Sequence, residues 1–536
     1  MNATPLPAGS LRATSLNAAR RDDELTELGD GRWLDVLVVG GGVTGAGAAL
    51  DAAARGLSVA LIESEDLAWG TSRWSSKLVH GGLRYLAHGE LGLARESAVE
   101  RGALMSHTAP HLVRTLPQLI PLHGETSRRS EMVMAGGLHA GDALRRGART
   151  SSKLLPPPRH VPAAEATALV PGLREEGLRG GLLSFDGQLV DDARLVVALA
   201  RTAAGFGARI LTRVRANTLD RSGAEVTDRR TGESLRVHAR SVVNATGVWA
   251  GELVPQVRLR PSRGSHLVLD AEATGLSSTA LVAPLPERSG RFLLCLPQPD
   301  GRVYIGLTDE PVDGPVPSVP EVPESDVDFL LEAASGVLGR RLGREHVLGS
   351  FAGMRPLLET PPRSGGRLAA ALSRSGTADL SRKHAVLTSD DGVITVVGGK
   401  LTTYRRMAAE GVDTAIRTAG LSAGPSRTTS VPLVGAADRT RLEQVEADRR
   451  LITRYGTEAG RVHALAELDP SLEERVVPSQ PLTAAEVLWA VRHEAALDTD
   501  DVLDRRTRIG LTPAERAAAL PTVADIVERA LHGVTT

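Results

Sequence analysis

The chain has 536 residues, 42% of them hydrophobic, a length that supports two or three domains and a large core. Its 63 basic and 64 acidic residues nearly cancel and aromatics are only 3%, which argues against a nucleic-acid partner held by a global field or by base stacking. A single cysteine, Cys295, excludes an intramolecular disulfide and a cysteine-rich metal site, and no stretch approaches the ~18 apolar residues of a membrane span.

Residues 1–14 read as a tail and 18–28 as a short charged helix, with no apolar run typical of a secretion signal, so the expected setting is reducing and cytoplasmic. The chain is then organised around residues 34–63, LDVLVVGGGVTGAGAALDAAARGLSVALIE. Residues 36–39 are apolar β-formers suited to a fully buried parallel strand. Gly40, Gly42 and Gly45 follow in G-x-G-x-x-G spacing and open an Ala-rich helix pattern over 46–55. Gly56 ends that helix and 57–62 supply a second strand. Glu63 stands just past it, about 20 residues beyond the glycine turn, where an acid that binds a ribose is expected. Gly40 permits the tight turn, Gly42 lets backbone approach a pyrophosphate, and Gly45 lets helix and strand pack closely. The helix N-terminus offers unpaired N–H groups to the phosphates. Strand, glycines, helix, strand and acid in this order predict a dinucleotide-binding unit.

Residues 70–86, GTSRWSSKLVHGGLRYL, come next, at the end where such sheets bind ligands. Their hydroxyls, Lys77, His80, Arg84 and Tyr85 predict a cofactor-contacting loop. Helical patterns follow over 91–105 and 132–144, the second flanked by Arg128, Arg129, Arg145, Arg146 and Arg149. Those arginines suit a solvated face or contact with an anionic membrane surface. After a Pro turn at 156–158, residues 183–189 read as a strand, and Asp191 and Asp192 as caps of an amphipathic helix reaching Ala204. Residues 208–214 are a further strand, and an apolar run ending in Asn244-Ala245-Thr246-Gly247 is another that stops at a glycine turn.

From Pro261 the texture changes to short strand-like pieces (265–269, 292–296, 303–305) between Pro and Gly turns, which predicts an antiparallel sheet in a second domain. Cys295 falls in one of them as a small buried hydrophobe. A helix over 325–338 and a strand over 347–354 that delivers Arg355 follow. Strands over 385–387 and 393–397 run into Gly398-Gly399-Lys400-Leu401-Thr402-Thr403 and a helix over 404–419. This second strand–glycine–helix junction reads as the nucleotide fold closing after an inserted domain. The rest is charged and helical, near 439–455, 484–496 and 513–531. The expected organisation is α/β: a tail and helix (1–33), a discontinuous nucleotide-binding domain (34–260 and 386–420), a substrate domain (261–385) and a helical domain (421–536).

The blocks GGGVTGAGAALDAAARGLSVALIE, GTSRWSSKLVHGGLRYL, LVDDARLV, VVNATGVWA, GSHLVL, IGLTDE, GMRPLL and VVGGKLTTYRRMA closely resemble the FAD-dependent, aerobic, quinone-linked glycerol-3-phosphate dehydrogenases, in that family's order. The tail HEAALDTDDVLDRRTRIGL is similar to the family's C-terminal helical domain. The resemblance implies a Rossmann-type FAD-binding domain carrying an inserted antiparallel-sheet substrate domain, as in glutathione reductase and D-amino-acid oxidase. It implies FAD rather than NAD, and oxidation of the C2 alcohol of glycerol 3-phosphate to dihydroxyacetone phosphate by hydride transfer to the flavin. A membrane quinone would take the electrons, so the chain would touch the cytoplasmic membrane face peripherally; basic helices over 138–153 and 339–344 are candidates. A homodimer is left open. Rival readings are an oxidase passing electrons to O₂, an amino-acid or amine oxidase needing fewer cations, and a flavin-binding protein without activity. The chain departs from the pattern at Leu307, where a hydroxyl is common, and matches loosely around Arg382.

A phosphate monoester carries roughly two negative charges near neutrality and needs several cationic donors. The resemblance gives that role to Arg84, Arg355 and Lys400, with Arg382 open, and a hydrogen bond to Tyr85. His266 is the candidate base, because histidine titrates near physiological pH, and a structural histidine is the alternative. Arg355 and Lys400 join it in the expected catalytic set, while His80 positions cofactor. On the FAD side, Gly40, Gly42 and Gly45 face the pyrophosphate and Glu63 the adenosine ribose. Thr71, Ser72, Ser76, Lys77 and Leu78 line the flavin-side loop, and Val214 meets adenine through its backbone. Ala245, Thr246, Gly247, Gly399, Leu401 and Thr402 approach the rest. The fourteen histidines form no persuasive ligand set, so no metal is expected.

Overall fold

The computed structural model describes residues 11–82, 90–285, 291–359 and 383–534. Among these residues, two sheets carry the architecture. The first has eight strands, six of them in the order Ala385–Thr388, Ile394–Val397, Ser234–Asn244, Leu34–Val39 (β1), Val59–Ile62 (β2), Arg209–Leu211. β1 lies parallel to β2 on one side and to Ser234–Asn244 on the other. Its sequence LDVLVV is apolar almost throughout because helices cover both faces of a parallel sheet.

After β1 the chain turns at Gly40, with φ +110°, and enters helix α1 (Val43–Ala54). Ten of its twelve residues are buried, and alanine and glycine let neighbours come close: a side chain on Gly47 would meet the Tyr404 ring at 2.9 Å. Tyr404 opens the helix Tyr404–Ala419, which, with Asp192–Gly205, shares the core of α1. Ala385–Thr388 and Ile394–Val397, far along the chain from β1, are strands of this same sheet.

The second sheet has ten strands and differs from the expected insertion over 261–385. Beside Ser262–Asp270, Ala280–Pro284, Phe292–Pro297, Arg302–Gly306, Glu310–Pro311 and Val347–Arg355 it takes Leu78–Val79, Val113–His123, Arg159–Pro162 and Leu178–Leu189. The four strands last named thus belong to this sheet rather than to the nucleotide-binding one. The strand VRTLPQLIPLH contains Pro117 and Pro121, which read as breakers in a sequence. In the sheet they flank the short stretch, Gln118 and Leu119, that pairs with Ala280 and Leu281.

The C-terminal helices have their own apolar core, among them Val487, Leu503 and Val523. The helix expected over 439–455 is two, Arg439–Glu443 and Arg449–Tyr455, because Asp438 and Asp448 each cap a separate start. No helix among the described residues is long and apolar enough to cross a membrane.

Candidate active site

A cavity of about 1720 Å³ opens between the two sheets, at the C-terminal ends of the parallel strands. Gly40, Gly42, Val43 and Thr44 line its middle. A Cβ on Gly40 would lie 2.7 Å from the Ala245 carbonyl oxygen, and one on Gly45 would collide with the Gly40 carbonyl. Gly45 therefore packs the helix against the turn instead of lining the cavity. Gly42 caps α1 without a side chain, and Val43 N donates to Ser72 Oγ at 2.9 Å.

At one end Glu63 accepts from Gly41 N at 2.6 Å and from Glu65 N at 2.8 Å. Burial pushes its carboxyl up to about 7. Val214 lines the cavity beside it, but its N–H is already given to Glu63 O at 2.8 Å.

Toward the other end come Ala245, Thr246, Gly247, Gly399, Lys400, Leu401 and Thr402, all lining residues. Gly398 and Gly399, with φ +80° and +72°, fold the chain back into a short turn of helix, Leu401–Thr403. His80 N donates to Thr402 Oγ1 at 3.3 Å, joining two motifs far apart in sequence. Thr71, Ser72, Ser76 and Leu78 also line the cavity, with Thr71 Oγ1 donating to Met354 O at 2.6 Å.

Lys77 does not. With φ +59° its side chain turns into the interior, where Nζ donates to Asp192 at 2.9 Å and to the carbonyls of Arg73 and Ser75. The Asp192 carboxylate also receives Ser75 N and Oγ, so it anchors the loop, while Asp191 caps the helix. Identity within a motif predicted Lys77 at the surface of the cavity; backbone conformation sends it elsewhere.

Beyond the loop, Arg355 lines the cavity at the end of Val347–Arg355. Its guanidinium donates to Asp309 Oδ1 at 3.1 Å, Ser262 Oγ at 3.3 Å and Thr308 O at 3.1 Å. A side chain at Gly264 would run into it. His266 is buried, stacks on Phe351 at 4.7 Å, and lies with Nε2 2.9 Å from Ser76 Oγ. Burial, then Lys77 and Arg355, push its imidazole down to about 3. That corrects the expectation of a histidine titrating near neutrality: the resting ring is neutral. Leu307 also lines this end. Arg84, Tyr85 and Arg382 lie outside the described residues.

Sequence reading missed Asp309, Thr308 and Ser262 around Arg355, although Asp309 stands in the IGLTDE block. It also missed Asp186, which accepts from Arg101 Nη1 at 2.7 Å and from Gly81 N at 3.3 Å and so fixes the Gly81-Gly82 turn. An apolar arm completes the cavity: Ile120, Val282 and Leu294 from the second sheet, and Val133, Met134 and Leu138 from helix α2 (Arg128–Gly147). Among the described residues no group of three His, Cys, Asp or Glu is arranged to hold a metal ion.

The family described as FAD dependent oxidoreductase matches residues 35–405, and the C-terminal domain of alpha-glycerophosphate oxidase matches 426–533. The chain is 50% identical over 520 residues to glycerol-3-phosphate dehydrogenase 1 of Mycobacterium tuberculosis, covering 96% of this chain and 99% of the relative. It is 33% identical to the glycerol-3-phosphate dehydrogenase of Synechocystis, over 89% of each. The crystal structure of a glycerol-3-phosphate dehydrogenase from Bacillus halodurans complexed with FAD superposes with a TM-score of 0.73, 26% identity and 97% of both chains covered.

Proposed function

Because the chain belongs to the FAD-dependent oxidoreductases and, within them, to the glycerol-3-phosphate dehydrogenases, we propose that it oxidises sn-glycerol 3-phosphate to dihydroxyacetone phosphate and passes the electrons to a membrane quinone. The observation that carries the reading is one cavity that joins a glycine-capped helix N-terminus to a cationic end beside a neutral imidazole.

The residues fit FAD. Glu63 offers its carboxylate to ribose hydroxyls, and the α1 N-terminus behind Gly40 and Gly42 receives the pyrophosphate. The Gly399–Thr402 turn, Ser76 and His80 face the remaining part. Bound FAD supplies the two-electron acceptor for the hydride that leaves C2.

Arg355 and Lys400 hold the substrate phosphate, with Arg84 and Arg382 as further cations and Tyr85 as a hydrogen-bond donor. Asp309 and Thr308 keep the Arg355 fork oriented, so little rotamer freedom is lost on binding. His266, held by Ser76 and Phe351, takes the C2 hydroxyl proton. A phosphate paired with Arg355 offsets one of the two charges that depress this imidazole, so the base strengthens when substrate is present.

For the acceptor side, Met132 and Val133 of α2 are 67% and 69% exposed, and Leu91 is 65% exposed. With Arg128, Arg129 and Arg146 on the same helix, this face suits shallow contact with an anionic membrane surface.

The test is anaerobic mixing with glycerol 3-phosphate while the oxidised flavin band is followed. Bleaching that glycerol cannot cause supports the substrate and its phosphate; a yellow protein that stays yellow overturns them. Reoxidation by a quinone analogue much faster than by air supports the acceptor, and the reverse order makes the protein an oxidase.

A further inference from the structure

The segment that carries the cavity-lining hydroxyls, residues 63–77, is gripped from outside by the C-terminal unit. Asp66 is fully buried and receives Arg506 through both Nη atoms at 2.8 Å, and Arg505 Nε at 2.6 Å. Arg505 continues to Asp501 at 2.5 Å, and Arg506 Nε reaches the Glu494 carbonyl at 2.9 Å, so both arginines are fixed within their own unit.

A second contact runs through rings. The Arg505 guanidinium lies 4.8 Å from the Trp69 ring, and Arg73 lies 5.1 Å from Trp69 and 4.3 Å from Trp74. Arg508 lies 5.3 Å from the other tryptophan, Trp74. The order Arg505, Trp69, Arg73, Trp74, Arg508 alternates cation and ring, starting and ending in the C-terminal unit. Trp69 and Trp74 line the cavity, and the same loop presents Thr71, Ser72 and Ser76 to it.

The loop cannot hold this shape by itself. Ala68 and Lys77 both have positive φ, and the three backbone bonds inside 63–77 each span only three residues. Its shape therefore depends on partners outside it: Gly41 and Leu211 through backbone, Asp192 through Ser75 and Lys77, and the C-terminal unit through Asp66 and the two tryptophans. Buried charges at Arg505 and Arg506 are costly without Asp66, so loop and C-terminal unit have one mutually satisfied arrangement.

We propose that Arg505, Arg506 and Arg508 are positioning residues for FAD: the C-terminal unit sets the cofactor-binding shape of the 63–77 loop through Asp66, Trp69 and Trp74. This rests on the FAD reading above. The reach is one-directional in sequence, 440 residues from Asp66 to Arg506, so closing the clamp requires the whole chain.

The experiment compares full-length Arg506→Lys and Asp66→Glu with Arg450→Lys, whose partner Glu486 lies inside the C-terminal unit away from the loop. FAD affinity is read by tryptophan quenching after the cofactor is stripped and added back, and amide exchange over 64–77 is read in the loaded protein. Arg506→Lys keeps the charge but loses the two-point grip. It is expected to weaken FAD roughly tenfold, the low end of what outer supports of a bound group are worth, and to speed exchange over 64–77. Arg450→Lys is expected to change neither, even where it lowers the melting temperature as much. Equal FAD affinity in all three variants, or affinity that simply tracks melting temperature, overturns the clamp. If Arg506→Lys gives no cooperative melt, Asp66→Glu, which only shifts the carboxylate by one methylene, carries the same comparison. In the unmodified protein, FAD is expected to slow exchange in 64–77 and 501–508 together; protection confined to 64–77 overturns the inference. An unmodified chain that takes up no FAD overturns the cofactor reading and this one with it.

Discussion

A carboxyl group removed from water keeps its proton longer, and Glu63 is placed so that this matters to cofactor uptake. Its burial pushes it up to about 7, against 4.5 for an ordinary glutamic acid. Ribose hydroxyls donate best to the ionised form, so apoprotein affinity for FAD is expected to fall about tenfold between pH 8 and pH 6. Glu63→Gln should flatten that dependence in a fluorescence titration; an unchanged slope would remove Glu63 from the ribose. Arg355 sets a second test. Replacing its fork by Arg355→Lys removes paired contacts to a phosphate worth roughly 1.5–3 kcal/mol, so kcat/KM for glycerol 3-phosphate is expected to drop about 10- to 100-fold. Most of the loss should appear in KM, with FAD content unchanged. These residues were legible because the family's motifs hold them at fixed spacing. Lys77 shows the limit: the motif gives its identity, while a positive φ gives its direction.

At the scale of elements, the turn into α1 and the exposed face of α2 make separate demands. Gly45 packs against the Gly40 carbonyl, so Gly45→Ala must move the helix or the turn. Overpacking of this kind costs about 1–3 kcal/mol, and the shifted N-terminus should also release FAD. A thermal melt and the flavin-to-protein absorbance ratio are expected to fall together. On α2, Met132→Ser is expected to reduce flotation with anionic liposomes while leaving anaerobic bleaching intact, because Met132 does not line the cavity. Flotation unaffected by the change would move the membrane contact elsewhere. The helices and the glycine-ended strands were readable because periodicity and caps are local signals. The strand Val113–His123 was not, since its two prolines look like breaks until the partners on either side are known.

Across the whole molecule, buried ion pairs tie the C-terminal unit to the nucleotide-binding core. Glu494 receives both Nη atoms of Arg194, the shorter bond at 2.6 Å. Burial alone would raise its carboxyl, but Arg194 and then Arg201 hold it down at about 2. A depressed carboxyl binds fewer protons folded than unfolded, so its contribution is complete above pH 4.5 and is lost as pH falls toward 2. Glu494→Gln strands Arg194 and is expected to cost about 3 kcal/mol at pH 7 in urea unfolding. The gap to the unmodified chain should narrow at pH 3; a constant gap would mean the pair does not govern acid sensitivity. The dinucleotide unit and the family were legible in the chain alone, because each is encoded in spacings of a few residues. Three-dimensional packing was needed to show that the strands Leu78–Val79, Val113–His123, Arg159–Pro162 and Leu178–Leu189 complete the second sheet, that Asp309 orients Arg355, and that Arg505, Arg506 and Arg508 hold the loop after β2. Charges in loops carry no periodicity. Their partners lie tens to hundreds of residues away, and only packing of the chain chooses between them.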